Sequence, residues 1–237
     1  MSKSPTPAAD RTHFDRIAKA YNSSLPSHVI AHYLDRRTAL VQRVVPKPGP
    51  ILDMGCGTGM LAWRLQELGY DVTGLDTSIG MLLEPPADQM TNRLLGDGTQ
   101  LPVRDGAFAA VISVATLHHI ADPDLVRSAI REAVRVTAPG GVTIIWDHNP
   151  LNPYWPMLMA RVPQDEEDTR LVSLNEILDA LKTSPNVRID HTRCGWIPDF
   201  APSWSLPVMS LLERGLESIP GIRTLSAHNV VLARKNT

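Results

Sequence analysis

Apolar side chains recur at spacings of three and four through the first 45 residues, and the pattern then changes to short apolar runs separated by helical stretches. Phe14, Ile17 and Tyr21 share one face of a helix predicted over 13–21. After a break at Leu25, Pro26 and Ser27, a second helix is predicted over 28–45, with a stripe through Val29, Tyr33, Leu40, Val41 and Val44. Pro46, Pro48 and Pro50 end it. From there, strands are predicted at 51–53, 70–76, 92–97, 108–114, 142–146, 187–191 and 227–235. Helices are predicted at 60–68, 78–83, 125–136, 173–182 and 206–219. The run at 108–114 is continuously apolar, as suits a central parallel strand covered on both faces. This alternation predicts one α/β domain over 1–237: a doubly wound, mostly parallel Rossmann-like sheet. Residues 1–48 form a helical cover on the ligand edge, after a frayed leader at 1–10.

The stretch 51–59 reads Ile-Leu-Asp-Met-Gly-Cys-Gly-Thr-Gly, a strand ending in an acid and followed by three alternating glycines. Such a loop lets a ligand lie on the backbone, at the N-terminus of the next helix. The spacing is not that of a dinucleotide fingerprint, because Met60 stands where its third glycine belongs. The Gly-Lys-Ser/Thr of a phosphate loop is also missing. Asp53 would repel a pyrophosphate and attract a cationic ligand, and S-adenosylmethionine (SAM) carries both an ammonium and a sulfonium. Asp76 ends the second strand, 23 residues after Asp53. An acid there can accept two hydrogen bonds from a ribose diol; the alternative is a helix N-cap, which Thr77 and Ser78 also invite. Asp97 can accept from an adenine amino group or close an Asx-turn.

Composition narrows the classes. The 237 residues are 43% hydrophobic and 20% charged, with a formal net charge of −2. A broad phosphate-binding surface is not expected from that charge, so nucleic acid is excluded as a partner. Two cysteines, Cys56 and Cys194, give no disulfide framework, and no apolar run is long enough for a signal core or a bilayer span. These features point to a cytoplasmic protein without stable membrane insertion; they leave the oligomeric state open.

Three histidines, His118, His119 and His148, fall at the carboxyl ends of strands, where open α/β sheets bind ligands. His118 and His148 are the candidate bases, with His119 turned towards packing and Asp147 available either to orient His148 or to satisfy loop N–H groups. His118, Asp147 and His148 lack a tight ligand spacing, so no metal is expected. The segments 149–175 and 195–220 follow strands of the second half and are candidate lids over an acceptor. Trp155, Trp196, Phe200, Trp204, Met157, Met159 and Met209 would line it, giving a hydrophobic pocket for a lipid, quinone or aromatic polyketide. The acidic run 165–168 is expected to be a solvated face or helix start.

Taken in order, five motifs resemble those of the class I SAM-dependent methyltransferases. They are 51–59, Gly-Leu-Asp-Thr-Ser-Ile-Gly-Met-Leu at 74–82, Gly-Asp-Gly-Thr-Gln-Leu-Pro at 96–102, Ser-Val-Ala-Thr-Leu-His-His-Ile at 113–120, and Arg-Val-Thr-Ala-Pro-Gly-Gly at 135–141. With Phe-Asp-Arg-Ile-Ala-Lys-Ala-Tyr at 14–21, the pattern is similar to the small-molecule branch that includes the ubiquinone and menaquinone biosynthesis enzymes. Asn22 stands where an acid often follows the tyrosine, and Pro85 and Pro86 shorten a helix that is usually longer. The resemblance implies a seven-stranded sheet whose last strand is antiparallel and inserted beside the sixth. It implies methyl transfer from SAM to an oxygen or carbon nucleophile. Asp53, Gly55, Cys56, Gly57 and Gly59 would hold the methionine end, Asp76 and Thr77 the ribose, and Asp97 and Gly98 the adenine. Met81 would pack on the adenine, Ala115 would border the cofactor, and Tyr21 would close over it. A non-catalytic SAM-binding protein, or a SAM-fold enzyme of another reaction type such as a cyclase, are the competing readings. A nicotinamide oxidoreductase is disfavoured by Asp53 and Met60.

Overall fold

A computed structural model describes residues 8–46, 49–85, 89, 92–159, 169–184 and 186–237. Two helices, α1 (Ala8–Tyr21) and α2 (Ser27–Val44), precede the first strand. There follow β1 (Pro50–Met54), α3 (Met60–Glu67), β2 (Asp71–Asp76), α4 (Ile79–Leu83), β3 (Asn92–Leu95), β4 (Phe108–Val114), α5 (Pro123–Val136) and β5 (Thr137–His148). The second half adds α6 (Trp155–Met159), α7 (Leu174–Lys182), β6 (Val187–Cys194), α8 (Leu206–Ser218), α9 (Pro220–Arg223) and β7 (His228–Lys235).

The strands form one sheet in the order β3-β2-β1-β4-β5-β7-β6. Pairing is parallel from β3 through β5, and β7 runs antiparallel to both of its neighbours, β5 and β6. This is the doubly wound Rossmann-like sheet, with its last strand slotted between the fifth and sixth. The order reverses between β1 and β4, so their carboxyl ends open a crevice at the switch point.

Two apolar layers hold the sheet. One joins Leu52, Val111, Ile130, Ile145 and Ile177 against α5 and α7; the other joins Ile51, Ile112, Leu65, Val41 and Trp146 against α2 and α3. Each such fully buried aliphatic side chain contributes roughly 1.5–3 kcal/mol. The alternation along β1 and β4 sends neighbouring residues to opposite layers, which fixes the register and thereby the level at which Asp53 emerges.

Several boundaries move from those expected. α1 begins at Ala8, within the expected leader. β5 starts at Thr137, ahead of Pro139, because Thr137 pairs with Phe108 across a register shift. β6 extends to Cys194, since β7 pairs with it throughout. α4 stops at Leu83, ahead of Pro85 as expected; Pro86 and the acidic run 165–168 lie outside the described residues. No helix of the described residues is long and apolar enough to cross a membrane.

Candidate active site

β1 delivers Asp53 to the switch point and then turns sharply. Gly55, Gly57 and Gly59 all take positive φ, at 75°, 54° and 74°. A Cβ on Gly55 would run into the Thr116 side chain, whereas at Gly57 the nearest atom is a Tyr21 ring carbon at 3.9 Å. The loop is therefore packed from below and open above. Gly59 caps α3 without a side chain, and the Asp53 carboxylate reaches the Ala62 N–H in the first turn instead. Asp53 is 2% exposed, and burial, with repulsion from Asp76 second, raises its pKa to about 7. Arg37 and the Ala62 N–H pull the other way. A buried carboxyl held that high is matched to a ligand that brings positive charge.

Asp76 clamps the same loop from the next strand. Gly57 N–H donates to its Oδ2 at 2.8 Å and Ser78 N–H to its Oδ1 at 2.9 Å. Its pKa is raised by burial against the pull of those N–H groups. The N-cap of α4 is Ser78, whose Oγ accepts from Met81 N–H. That frees Asp76 from the capping alternative, and its oxygens keep lone pairs for a diol. Asp97 closes the Asx-turn: its Oδ1 accepts from the Thr99 N–H and hydroxyl at 2.8 and 2.7 Å. It also lines the same cavity as Asp76.

That cavity, about 100 Å³, is bounded by Phe14, Asp76, Thr77, Met81, Asp97 and Gly98. It joins a larger one, about 250 Å³, at Tyr21, Gly55, Gly57, Ala115 and His119, which line both. Ala115 holds φ 51°, a strained value for a residue with a Cβ, at the point where the two chambers meet. Cys56 borders the larger chamber, and burial keeps its thiol pKa well above the usual value. Gly59 borders neither; it acts by turning the chain into α3. α1 is latched over the smaller chamber by Asp15, which accepts from Ser78 Oγ–H at 2.5 Å and Gly80 N–H at 2.7 Å. Asn22, after the tyrosine, accepts from the Thr58 hydroxyl at 2.7 Å and ties α1 to the glycine loop.

The larger chamber carries the histidines. The carboxylate expected to orient His148 holds His118 instead: Asp147 Oδ1 lies 2.7 Å from His118 Nδ1. The backbone explains the exchange, because the one-turn 3-10 helix at Leu117–His119 brings Leu117 N–H onto Asp147 Oδ2 at 2.8 Å. His148 gives Asp147 only its main-chain N–H, at 2.7 Å, and its ring is sandwiched between Trp155 at 3.8 Å and His118 at 4.1 Å. Its Nδ1 has no partner among the described residues, and burial holds its pKa well below the usual histidine value. His119 packs edge-on against Phe14 and also lines both chambers. Burial likewise keeps His119 and His228 neutral. His118, Asp147 and His148 offer atoms within 4.8 Å of one another. Both Asp147 oxygens, however, are engaged by N–H donors, the arrangement of an orienting carboxylate.

The residues expected to line an acceptor divide. Trp155 lines the larger chamber, with Tyr154, Leu158 and Ile197 from the same segments. Met157, Phe200 and Trp204 face outward, at 53%, 66% and 81% exposed. Met159 and Met209 pack in satellite clusters, and Trp196 is not among the lining residues. The sequence reading also missed Arg37, a cation on the wall of this chamber. Its guanidinium stands 5.7 Å over the Trp146 ring, its Nε has no partner, and burial lowers its pKa. A basic residue interrupting the apolar stripe of α2 was the available signal. His228 was equally illegible, since it reaches the chamber only because β7 lies beside β5.

Residues 52–145 match the family model described as a methyltransferase domain. A demethylmenaquinone methyltransferase from Corynebacterium glutamicum is 34% identical over 160 residues, 64% of this chain and 67% of the relative. One of the same name from Beutenbergia cavernae is 33% identical over 136 residues, 56% of this chain and 55% of the relative. Among solved structures, a SAM-dependent methyltransferase from Thermotoga maritima, described as a possible histamine N-methyltransferase, superimposes with TM-score 0.68 at 18% identity, over 96% of this chain and 100% of that one. The [4+2]-cyclase SpnF gives TM-score 0.68 at 21% identity over 100% of both chains. At those identities the two structures establish the fold alone. The chain belongs to the class I SAM-dependent methyltransferases.

Proposed function

We propose that this member of the class I SAM-dependent methyltransferases methylates a hydrophobic, hydroxyl-bearing aromatic acceptor of the quinol kind. The observation that carries the reading is the junction at Ala115 and His119, where an acid-lined slot opens into an apolar chamber walled by histidines. The curated relatives named for demethylmenaquinone support the acceptor class. A quinone ring is itself electrophilic, so the nucleophile would be its reduced, hydroxylated form.

The slot fits the donor. The bare loop at Gly57, the buried acid Asp53 and the ribose-height acid Asp76 suit, in turn, a ligand lying on backbone, its cationic end and its diol. Asp97 and Gly98 would face the adenine, Thr77 and Met81 would enclose its sides, and Tyr21 would close over it. Arg37 would take the carboxylate of the methionine end, the group that could balance a buried guanidinium there. When bound, SAM supplies an electrophilic methyl group with its own leaving group, so the chain contributes mainly position and a proton sink.

His118 is the proposed base. Asp147 accepts from Nδ1–H, so the neutral ring carries its lone pair on Nε2, and the carboxylate stabilises the imidazolium once a hydroxyl proton has been taken. Trp155, with Tyr154, Leu158 and Ile197, gives the chamber an apolar wall against which an aromatic acceptor can pack. The cyclase of the same fold makes a second outcome concrete: turnover of an acceptor without loss of methyl from SAM. The test is incubation with methyl-labelled SAM and a demethylmenaquinol carrying a short side chain, read by mass spectrometry. Label in the ring or on its oxygen supports the proposal. SAM binding with no labelled product from the quinol or from a cell extract would overturn it.

A further inference from the structure

Helix α8 is built inside out. Its two acids point inward. Glu213 is 2% exposed; its carboxylate accepts from Trp196 N–H at 2.8 Å, and it lies 2.8 Å from His32 Nε2 and 2.6 Å from an Arg36 nitrogen. Glu217 accepts from Gly195 N–H and takes both terminal nitrogens of Arg36, each at 2.8 Å. Other apolar side chains point out: Val208, Leu211 and Leu212 on α8, Trp204 just before it, Ile219 at its end and Ile222 on α9 are each between 36% and 81% exposed. A helix packed on a protein core with its outer face in water carries the reverse pattern. An exposed apolar stripe of this kind marks a surface that meets something other than water.

The stripe lies on the outer wall of the acceptor chamber. Leu206 and Met209, from the same helix, pack onto Val29 and Ile197, which line that chamber on their other side. The charges left outside on α8 and α9 are positive. Arg214 is exposed and Arg223 partly so, and with Arg43 and Arg193 they border a groove of about 780 Å³ between α2, α8 and β6. Of the acids of that groove, Glu213 and Glu217 are engaged by Arg36 and His32, while Asp35 is 71% exposed and 3.9 Å from Arg64.

We infer that this face docks on an anionic lipid bilayer, with the stripe seated at the acyl boundary and Arg214 and Arg223 among the lipid phosphates. An apolar stripe beside Arg43, Arg193, Arg214 and Arg223, with Asp35 the one exposed carboxylate among the described residues of the groove, is complementary to such a surface. It is less complementary to itself, because a two-fold contact through the same patch would bring a single carboxylate to each set of four arginines. The docking stands on the surface alone. It rests on the proposed apolar acceptor only for its purpose, which is to let a lipid-dissolved molecule enter the chamber beside α8 without crossing water.

The test is co-sedimentation of the full chain with vesicles of phosphatidylcholine plus phosphatidylglycerol, and with phosphatidylcholine alone. The chain should pellet with the anionic vesicles and be released by salt. Leu211→Glu with Leu212→Glu should abolish binding, and Arg214→Gln with Arg223→Gln should weaken it by about fivefold for each arginine. Melting temperature and S-adenosylhomocysteine affinity should not change in either variant, which separates lost docking from lost folding. The inference is overturned if the wild-type chain stays in the supernatant with anionic vesicles. It is equally overturned if the chain sediments as a dimer that Leu211→Glu with Leu212→Glu takes apart, since a second copy then covers the stripe. Vesicle binding without methylation of any quinol would count against the proposed acceptor and leave the docking intact.

Discussion

His118 Nδ1 lies 2.7 Å from Asp147 Oδ1, and both side chains are sealed from solvent. A carboxylate only accepts, so this contact fixes the tautomer and makes Nε2 the basic nitrogen of the neutral ring. His118→Gln should lower kcat by ~10²–10⁴-fold while S-adenosylhomocysteine affinity is unchanged. Asp147→Asn should lower kcat as well, because the amide can present either hydrogen or oxygen to the ring and no longer carries the charge that stabilises the imidazolium. Steady-state kinetics beside calorimetry distinguish the two; a fall in cofactor affinity matching the fall in kcat would assign both residues to structure.

Asp53 links cofactor binding to pH. Its pKa of about 7 belongs to the chain without a bound cationic ligand, and such a ligand binds the ionised form. The affinity for SAM should therefore fall as pH drops below about 7, by up to tenfold per unit, and Asp53→Asn should flatten that dependence and weaken binding throughout. Calorimetric titrations at pH 6, 7 and 8 (roughly one unit apart, to span the expected ionisation) would check it.

The same acid and the buried histidines set opposite limits on stability without ligand. The folded pKa of Asp53 exceeds its unfolded value of about 3.9. Its contribution to stability is thus full below about pH 4 and is lost as pH climbs through about 7. His119, His148 and His228 are depressed below about 6.5, so theirs is present above that value and is lost as pH falls. Asp53 and the three histidines therefore oppose each other between about pH 4 and 7: the histidines make melting temperature rise with pH up to about 6.5, and Asp53 reduces that rise. Asp53→Asn should steepen the rise, and an unchanged profile in Asp53→Asn would count against the assignment.

Arg37 is assigned to the carboxylate of the methionine end. Arg37→Met should weaken S-adenosylhomocysteine by ~10–100-fold, in line with loss of a buried charge-assisted pair. Methylthioadenosine, which has no carboxylate, should bind the variant as well as it binds the wild type. Equal losses for both ligands would instead make Arg37 a packing residue over Trp146.

The latch at Asp15 gives α1 a measurable task. Asp15→Ala removes acceptors from the Ser78 hydroxyl and the Gly80 N–H. It should cost about 1 kcal/mol of stability and should speed proteolysis within α1, an effect that bound SAM reverses if α1 closes over the cofactor.

Local chemistry alone determined the first half of the molecule. Positive φ at three alternating positions requires glycine, a strand's register requires alternation, and an acid at a strand's end emerges beside the loop that follows it. Asp53, the glycine loop and Asp76 were legible for that reason, and so was the sheet that carries them. The partners of the catalytic side were not, because they are set by which strands lie side by side. Asp147 and His148 are neighbours in sequence, yet the carboxylate turns to His118, which a 3-10 turn on the adjacent strand presents to it. His228 arrives on the antiparallel last strand, and Arg37 reaches in from a helix that precedes the sheet. The apolar residues of the second half show the same division. Their composition pointed to an apolar lining, but only the assembled structure decided that Trp155, held by the Ala227 carbonyl and the His148 ring, faces the chamber, while the packing of α8 on Arg36 and His32 leaves Leu211 facing outward. A sequence fixes the periodicity of each element; which face turns inward depends on the pairing that the opposite element offers, and that is a property of the assembled structure.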